Sequence, residues 1–439
     1  MQSTVKLVLK ISQLLGIAPV SFEDKKEKFI VSLGWKCYSV LMASLLLILI
    51  YCGVTRRLSQ VYSSTSDLAL RIDTFNVILG DVTGIFLILV SITLKQRHLD
   101  VWCMNLLSVD VFLYKNVEQE YFKMSKLVRR IILGVTLISL TLYVGFMWLY
   151  KFHLQFDVLI PIYFCYGVRN TFIVQFFTFN VILYRRFQHM NKHLLDVFCV
   201  RSEYDLDYTL SLLLKIDMRN FSVFAGKLRT KDSYHLSRRQ RLSNESKSNI
   251  RLQALMSKFR GCAPLSHLQK VHCLLHGMAR CVSGAFGLQI VSEVTFCFLN
   301  IVMNTYVMLS HFLRNGAVPC GEPTGVVLLE CLPWTLMAVL RLVIIACSSE
   351  AVVRQSNRTL ELVNKLLLLP SQGDYGRHTA LQKFANQLRL SPLSYSAAGL
   401  FLIDRSLLTS CVATITTYLV ILVQFSLAKM TMQQNNYGC

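Results

Sequence analysis

Apolar residues in this chain collect into seven runs, each bounded by charged positions. Cys37–Thr55 is uncharged between Lys36 and Arg56, Ile131–Tyr150 between Arg130 and Lys151, and Ser406–Leu427 between Arg405 and Lys429. Thr74–Leu94 is broken only by Asp81, Val158–Tyr184 only by Arg169, and Cys281–Leu313 only by Glu293. Pro323–Cys347 holds two charges, Glu330 and Arg341. A helix crosses about 30 Å of hydrocarbon with roughly 20 residues, so each run is long enough to span a bilayer. Between and after the runs the pattern changes to one-sided helices. Arg185–Val200 and Tyr204–Met218 place Leu194, Leu195, Val197, Phe198 and Leu206, Leu210, Leu213, Leu214 at helical spacing. Leu265–Val282 does the same through Leu268, Val271, Leu274, Leu275 and Met278, then runs straight into the fifth span. The sixth span is expected to continue through Val352–Leu369 to Pro370, and a further helix, Arg377–Leu390, to stop at Ser391-Pro392. The polar, basic stretch Lys227–Asn249 reads as a tether.

Cations orient the seven spans, because cytoplasmic loops retain Lys and Arg. With the N-terminus inside, cytosolic segments hold roughly 37 of the 46 Lys and Arg residues and outer segments about 6. The fold expected is an all-α integral membrane protein with seven transmembrane helices. Its N-terminus is cytosolic, its C-terminus extracellular, and a helical cytosolic region anchors it. The divisions are a cytosolic N-terminus (1–32), spans one to four (33–184), a cytosolic region of amphipathic helices and basic loop (185–280), spans five and six (281–347), a cytosolic anchor segment (348–405), the seventh helix (406–427) and an extracellular C-terminus (428–439).

Composition supports this reading: of 439 residues, 53% are hydrophobic and 16% charged, against roughly 25% charged in soluble domains. The net charge of +21 lies on faces that meet the anionic inner leaflet, which makes nucleic acid an unneeded partner. Residues 1–30 lack a cleavable signal pattern, so the first span is expected to direct insertion itself. The sequons at Asn220, Asn244 and Asn357 all fall on the cytosolic side and are expected to carry no glycan.

Little in the chain points to catalysis. No HExxH, GxSxG, P-loop or CxxC spacing is present, which argues against an enzyme and against a metal or other cofactor. His272 and His276 stand four apart but have no third ligand in sequence reach. Cys320, in a short outer loop, could pair with Cys52 or Cys331, or remain a thiol.

Charged groups within spans are more telling, since burying them requires a partner or water. Asp81, Arg169, Glu293, Glu330 and Arg341 qualify. They either neutralise one another between helices or line a wet pocket. Counted from the span ends, Asp81, Arg169 and Glu330 fall in the outer half and Glu293 in the inner half. The outer half also collects Tyr163, Tyr166, Asn300, Asn304, Trp334 and Thr335. Aromatic faces with a few converging polar groups suit a small polar or amphiphilic ligand. An interfacial aromatic belt is the alternative, and it fits Trp148 best.

The last span carries the sharpest motif, Thr417-Tyr418-Leu419-Val420-Ile421-Leu422-Val423-Gln424-Phe425. Upstream stands Gly399-Leu400-Phe401-Leu402-Ile403-Asp404-Arg405-Ser406-Leu407-Leu408, and the fourth span ends in Arg185-Arg186-Phe187 with Asn191. These segments resemble the insect gustatory receptor family, relatives of the insect odorant receptors, whose members close on Thr-Tyr, five apolar residues, Gln-Phe. Chain length, seven inverted spans and a long loop after the fourth agree. The resemblance implies a multi-pass plasma-membrane taste receptor: a tetrameric, ligand-gated, non-selective cation channel opened by a sugar or bitter compound. The tetramer would be homomeric or formed with other gustatory receptors, and it would pass monovalent and divalent cations while resting in membrane lipid. Thr417, Ile421, Gln424 and Phe425, at i, i+4, i+7 and i+8, share one helix face and would form the gate and filter. Gln424 bonded to a neighbouring helix of its own subunit is the competing reading.

Two other classes remain. A G-protein-coupled receptor needs an outside N-terminus, and neither Asp-Arg-Tyr after the third span nor Asn-Pro-x-x-Tyr in the seventh is present. A transporter would want breaks at matching places in two halves; Gly80, Gly84 and Pro333 do not pair up.

Overall fold

The computed structural model describes residues 2–18, 20–23, 28–63, 68–93, 95–114, 117–149, 156–198, 200–215, 265–315, 324–369 and 375–436. Helices cover each of the seven apolar runs within these bounds. They are α2 (Leu33–Ser63), α3 (Leu68–Thr93), α5 (Val117–Leu149), α6 (Phe156–Val197), α8 (Leu265–Asn315), α9 (Thr324–Leu367) and α11 (Arg405–Asn436). Four helices join them: α1 (Gln2–Leu14), α4 (Lys95–Leu113), α7 (203–215) and α10 (Tyr375–Leu390). Two small antiparallel hairpins interrupt the helical architecture without changing its class. One pairs β1 (Val20–Glu23) with β2 (Lys28–Val31), the other β3 (Ser396–Ala397) with β4 (Phe401–Leu402).

The chain forms two compact units. The first comprises residues 1–183, 277–352 and 394–439. Its centre is aromatic: Phe172, Phe176 and Phe179, one helical stripe of α6, surround Phe286 of α8 at centroid distances of 6.0, 5.7 and 5.5 Å. Trp102, from α4, meets Phe179 edge-on at 4.6 Å. Helix α4 was not anticipated, yet Leu99, Trp102, Cys103, Leu106, Val109 and Leu113 are all buried at helical spacing. Close helix approach depends on Gly84, where a Cβ would lie 2.7 Å from Cys165 Cβ across α3 and α6. Cys320 lies outside the described residues, so its pairing has no structural account.

The second unit comprises residues 184–276 and 353–393. Asn191 ties α6 to α9: its Nδ2 donates to the Gln355 carbonyl at 3.0 Å, and its Oδ1 accepts from Thr359 at 2.7 Å. Glu203, on α7, pairs with Arg358 and Lys365, and Lys365 also reaches Asp207 and Glu361 at 2.9 and 3.0 Å. Partial burial opposes ionisation of Glu203, but its hydrogen bonds from Arg358 and Lys365 outweigh it and hold the carboxyl below its usual range.

His272 sits in this unit between the rings of Phe187 and Phe384, at 5.8 and 5.9 Å. Burial, reinforced by the nearby His276, pushes its imidazole down to about 4. The folded unit thus holds His272 neutral, while an unfolded histidine takes its proton near 6.5. The stability from the neutral ring is complete above about 6.5 and lost as pH falls toward 4. The full loss amounts to about 3 kcal/mol. His272→Phe fills the same aromatic slot, and melting of the purified protein should lose most of its slope between pH 6.5 and 4. An unchanged slope would place the titration elsewhere.

Candidate functional site

Two of the arginines within the spans, Arg169 and Arg341, converge on one carboxylate, that of Glu293. Arg169 of α6 grips Glu293 of α8 with two bonds, Nε to Oε2 at 3.0 Å and Nη2 to Oε1 at 2.9 Å. Arg341 of α9 donates to the same Oε1 at 3.1 Å and reaches Asn170 Oδ1 at 2.6 Å. Asn170 in turn donates to Ser139 Oγ on α5 at 3.1 Å. Four helices are thereby locked, through groups that are almost completely buried on α6, α8 and α9 and through the half-buried Ser139 on α5. Each guanidinium also faces a ring: Arg169 lies 3.4 Å from the Phe296 centroid and Arg341 4.6 Å from that of Tyr166. At Gly80 of α3, a Cβ would stand 3.2 Å from Phe296 Cε2 and 3.6 Å from Arg169 Nη1, so its absence leaves room for this stack.

Sequence counting assigns Arg169 to the outer half of the membrane and Glu293 to the inner half; the structure puts their head groups in contact. Both residues stand near the middle of their apolar runs, and their side chains are long enough to meet there.

The remaining candidates lie around this cluster. Tyr166 is buried, meets Trp334 edge-on at 5.2 Å, and has no hydrogen-bond partner for its hydroxyl among the described residues. Arg341 Nε is likewise buried without a partner. Asn304 Nδ2 donates to Asn300 Oδ1 at 3.1 Å, and Asn76 of α3 donates to Asn304 Oδ1 at 3.3 Å. Asp81 is buried on α3, where its backbone carbonyl accepts from the Cys165 thiol at 3.7 Å. Tyr163 and Trp334 are half-buried, and the Thr335 hydroxyl is turned back onto the Cys331 carbonyl at 2.9 Å. Glu330 falls outside the described side chains. Asn76, Asn170, Ser139 and Phe296 were missed from sequence. The two asparagines carried a usable signal, as amides inside or bordering apolar runs.

Helix α11 is built differently. Asp404 caps its start, accepting from the Ser406 N–H at 2.9 Å, and Arg405 Nε pairs with Glu350 of α9 at 2.8 Å. The preceding hairpin turns through Ala398 and Gly399 at φ of 51° and 79°. It is pinned to α8 where Ser283 Oγ donates to the Ser396 carbonyl at 2.8 Å and accepts from its N–H at 3.2 Å. Gly287 makes the approach possible, since a Cβ there would stand 2.7 Å from Ala398 N. Beyond this anchor, no residue from Arg405 to Phe425 is buried. Leu408, Cys411, Ile415, Leu419 and Leu422 form the half-covered side. Thr417, Ile421 and Gln424 project from the opposite side and are exposed, while Phe425 lies at its edge with 72% exposure. The Thr417 hydroxyl donates to the Ala413 carbonyl at 3.0 Å, which leaves its oxygen lone pairs facing outward.

The 7tm Chemosensory receptor family matches residues 5–429. This chain belongs to that family. In Drosophila melanogaster it is similar to the gustatory receptor for sugar taste 43a, 27% identical over 161 residues, covering 37% of this chain and 36% of that protein. It is also similar to the putative gustatory receptor 28b, 28% identical over 171 residues, covering 38% and 35%. The chain thus spans about a third of the length of the curated relatives it matches. Among solved structures, the insect olfactory receptor OR5 from Machilis hrabei overlaps 96% of this chain and 97% of its own, with a TM-score of 0.58 at 12% identity. Its complex with eugenol overlaps equally, with a TM-score of 0.53 and 14% identity. That likeness shows the fold of this chemosensory receptor chain: an all-α, seven-helix, multi-pass membrane architecture.

Proposed function

We propose that this chain is a taste receptor of the plasma membrane that acts as a ligand-gated, non-selective cation channel. Four copies, identical or mixed with other gustatory receptors, surround one pore lined by their α11 helices. The observation that carries this reading is the exposed side of α11. Hydroxyl and amide groups on a spanning helix are costly to leave against lipid, so a side bearing Thr417 and Gln424 calls for water or a second copy. Four such sides would ring an axis with hydroxyls, the Ile421 girdle, Gln424 amides and Phe425 rings. Apolar girdles gate by dewetting, and neutral amides discriminate weakly among cations.

The ligand is a small tastant, with a sugar favoured over a bitter compound. Among the described residues the buried Tyr166 hydroxyl and Arg341 Nε have no hydrogen-bond partner, and Tyr166 meets Trp334 edge-on, which suits a polyol; one similar receptor is named for sugar taste. Asp81, Tyr163, Arg169, Asn300, Asn304, Glu330 and Thr335 complete the proposed lining. Whole-cell currents evoked by a panel of hexoses and bitter compounds test the proposal. The current should vanish when sodium and calcium are replaced by a large organic cation, and should ignore G-protein blockade. Current abolished by the blockade would favour a G-protein-coupled receptor instead.

A further inference from the structure

Helix α5 carries a group of cations that neither the buried cluster nor the α11 side employs. Phe122, Lys126, Arg129, Arg130 and Leu133 stand at i, i+4, i+7, i+8 and i+11, one helical stripe, and all five are exposed. The same stripe continues through Leu137, Leu140 and Val144, exposed by 52, 55 and 57%. The other side of the helix carries the buried Ser125 and Val128, and α1 packs against α5. None of Lys126, Arg129 and Arg130 has a carboxylate partner among the described residues. The Lys126 ammonium lies 4.6 Å from the centroid of the Phe122 ring.

An exposed apolar stripe on a spanning helix faces acyl chains. Where it passes without a break into three unpaired cations, those cations lie at the depth of the phosphates. The distribution of Lys and Arg along the chain puts this end of α5 on the cytosolic side, where the anionic lipids are. Lys126 and Arg130 are separated by about 6 Å along the axis, within reach of a single headgroup.

We propose that this stripe of α5 is a binding site for an anionic phospholipid of the inner leaflet, of the polyphosphorylated inositol class. Lys126, Arg129 and Arg130 hold its phosphates, the two guanidiniums as planar forks, while Leu133, Leu137 and Leu140 line one acyl chain. A soluble phosphate ester matches the cations but leaves the leucine stripe unused, which is why the occupant is a lipid. The site depends on the orientation of α5 and is independent of the pore reading.

The test uses the full chain, delipidated in detergent and mixed with phosphatidylinositol bisphosphate in phosphatidylcholine micelles, with co-purifying lipid measured by mass spectrometry. K126Q/R129Q/R130Q should retain at least roughly tenfold less lipid than wild type. K192Q/K383Q/R389Q, which removes three exposed cations elsewhere, should retain the wild-type amount. Equal retention by the α5 triple variant and wild type would overturn the site, and so would an equal loss in the control triple. Complete displacement by equimolar soluble inositol trisphosphate would overturn the lipid assignment. If the triple variant is not monodisperse, R129Q and R130Q singly carry the test, each with a severalfold loss expected.

Discussion

Glu293→Ala is expected to leave little folded receptor at the cell surface. Among the described residues, Glu293 is the one carboxylate that accepts from both Arg169 and Arg341, and all three side chains are nearly inaccessible. Removing it strands two guanidiniums in a low-dielectric interior. Breaking a buried pair by deleting one partner costs about 3–5 kcal/mol, much of it the desolvation of the orphaned charge. Against a total stability of about 5–15 kcal/mol, that is a large part of the margin. Replacing the whole cluster with apolar groups, R169M/E293L/R341M, removes the orphans as well and should restore much of the folded population. Surface biotinylation and thermal size-exclusion profiles of the purified variants measure both effects. Wild-type surface levels and melting in Glu293→Ala would mean that the cluster does not hold α6, α8 and α9 together.

Gln424→Ala should change the current while leaving the amount of receptor unchanged. Gln424 is exposed on the side of α11 opposite Leu419 and Leu422, so shortening it removes no contact that folds the single chain. In the proposed tetramer it lies on the pore, where loss of an amide ring alters how permeating ions are coordinated. A severalfold change in open probability or in relative cation permeability is expected, read from reversal potentials and single-channel records. Leu419→Ala makes the contrast: it trims the packed side and should lower expression more than it alters permeation. Unchanged currents in Gln424→Ala at normal surface levels would remove this residue from the pore.

The seven spans were legible because charge and apolar residues segregate so sharply along the chain. The amphipathic helices were legible for the same reason, and the predicted end at Ser391-Pro392 agrees with the end of α10 at Leu390. Helix α4 was overlooked although its buried stripe is regular, because three charges in its first turns, Lys95, Arg97 and Asp100, gave that stretch the look of a loop. The short hairpins had no comparable signal, since two to four residues hold too little periodicity to read.

The candidate site divides along the same line. That Asp81, Arg169, Glu293 and Arg341 needed partners followed from their place in apolar runs, and so did the one-sided spacing of Thr417, Ile421 and Gln424. The sequence by itself determined a seven-helix membrane chain and its family, because hydropathy and a closing motif are local properties. Only the tertiary structure decided that Arg169 and Arg341 share Glu293, that Gly80 and Gly84 admit close approach, and that the side of α11 bearing Thr417 and Gln424 is exposed. Those facts are set by helix tilt, side-chain reach and contacts between residues far apart in the chain. A one-dimensional pattern carries none of these.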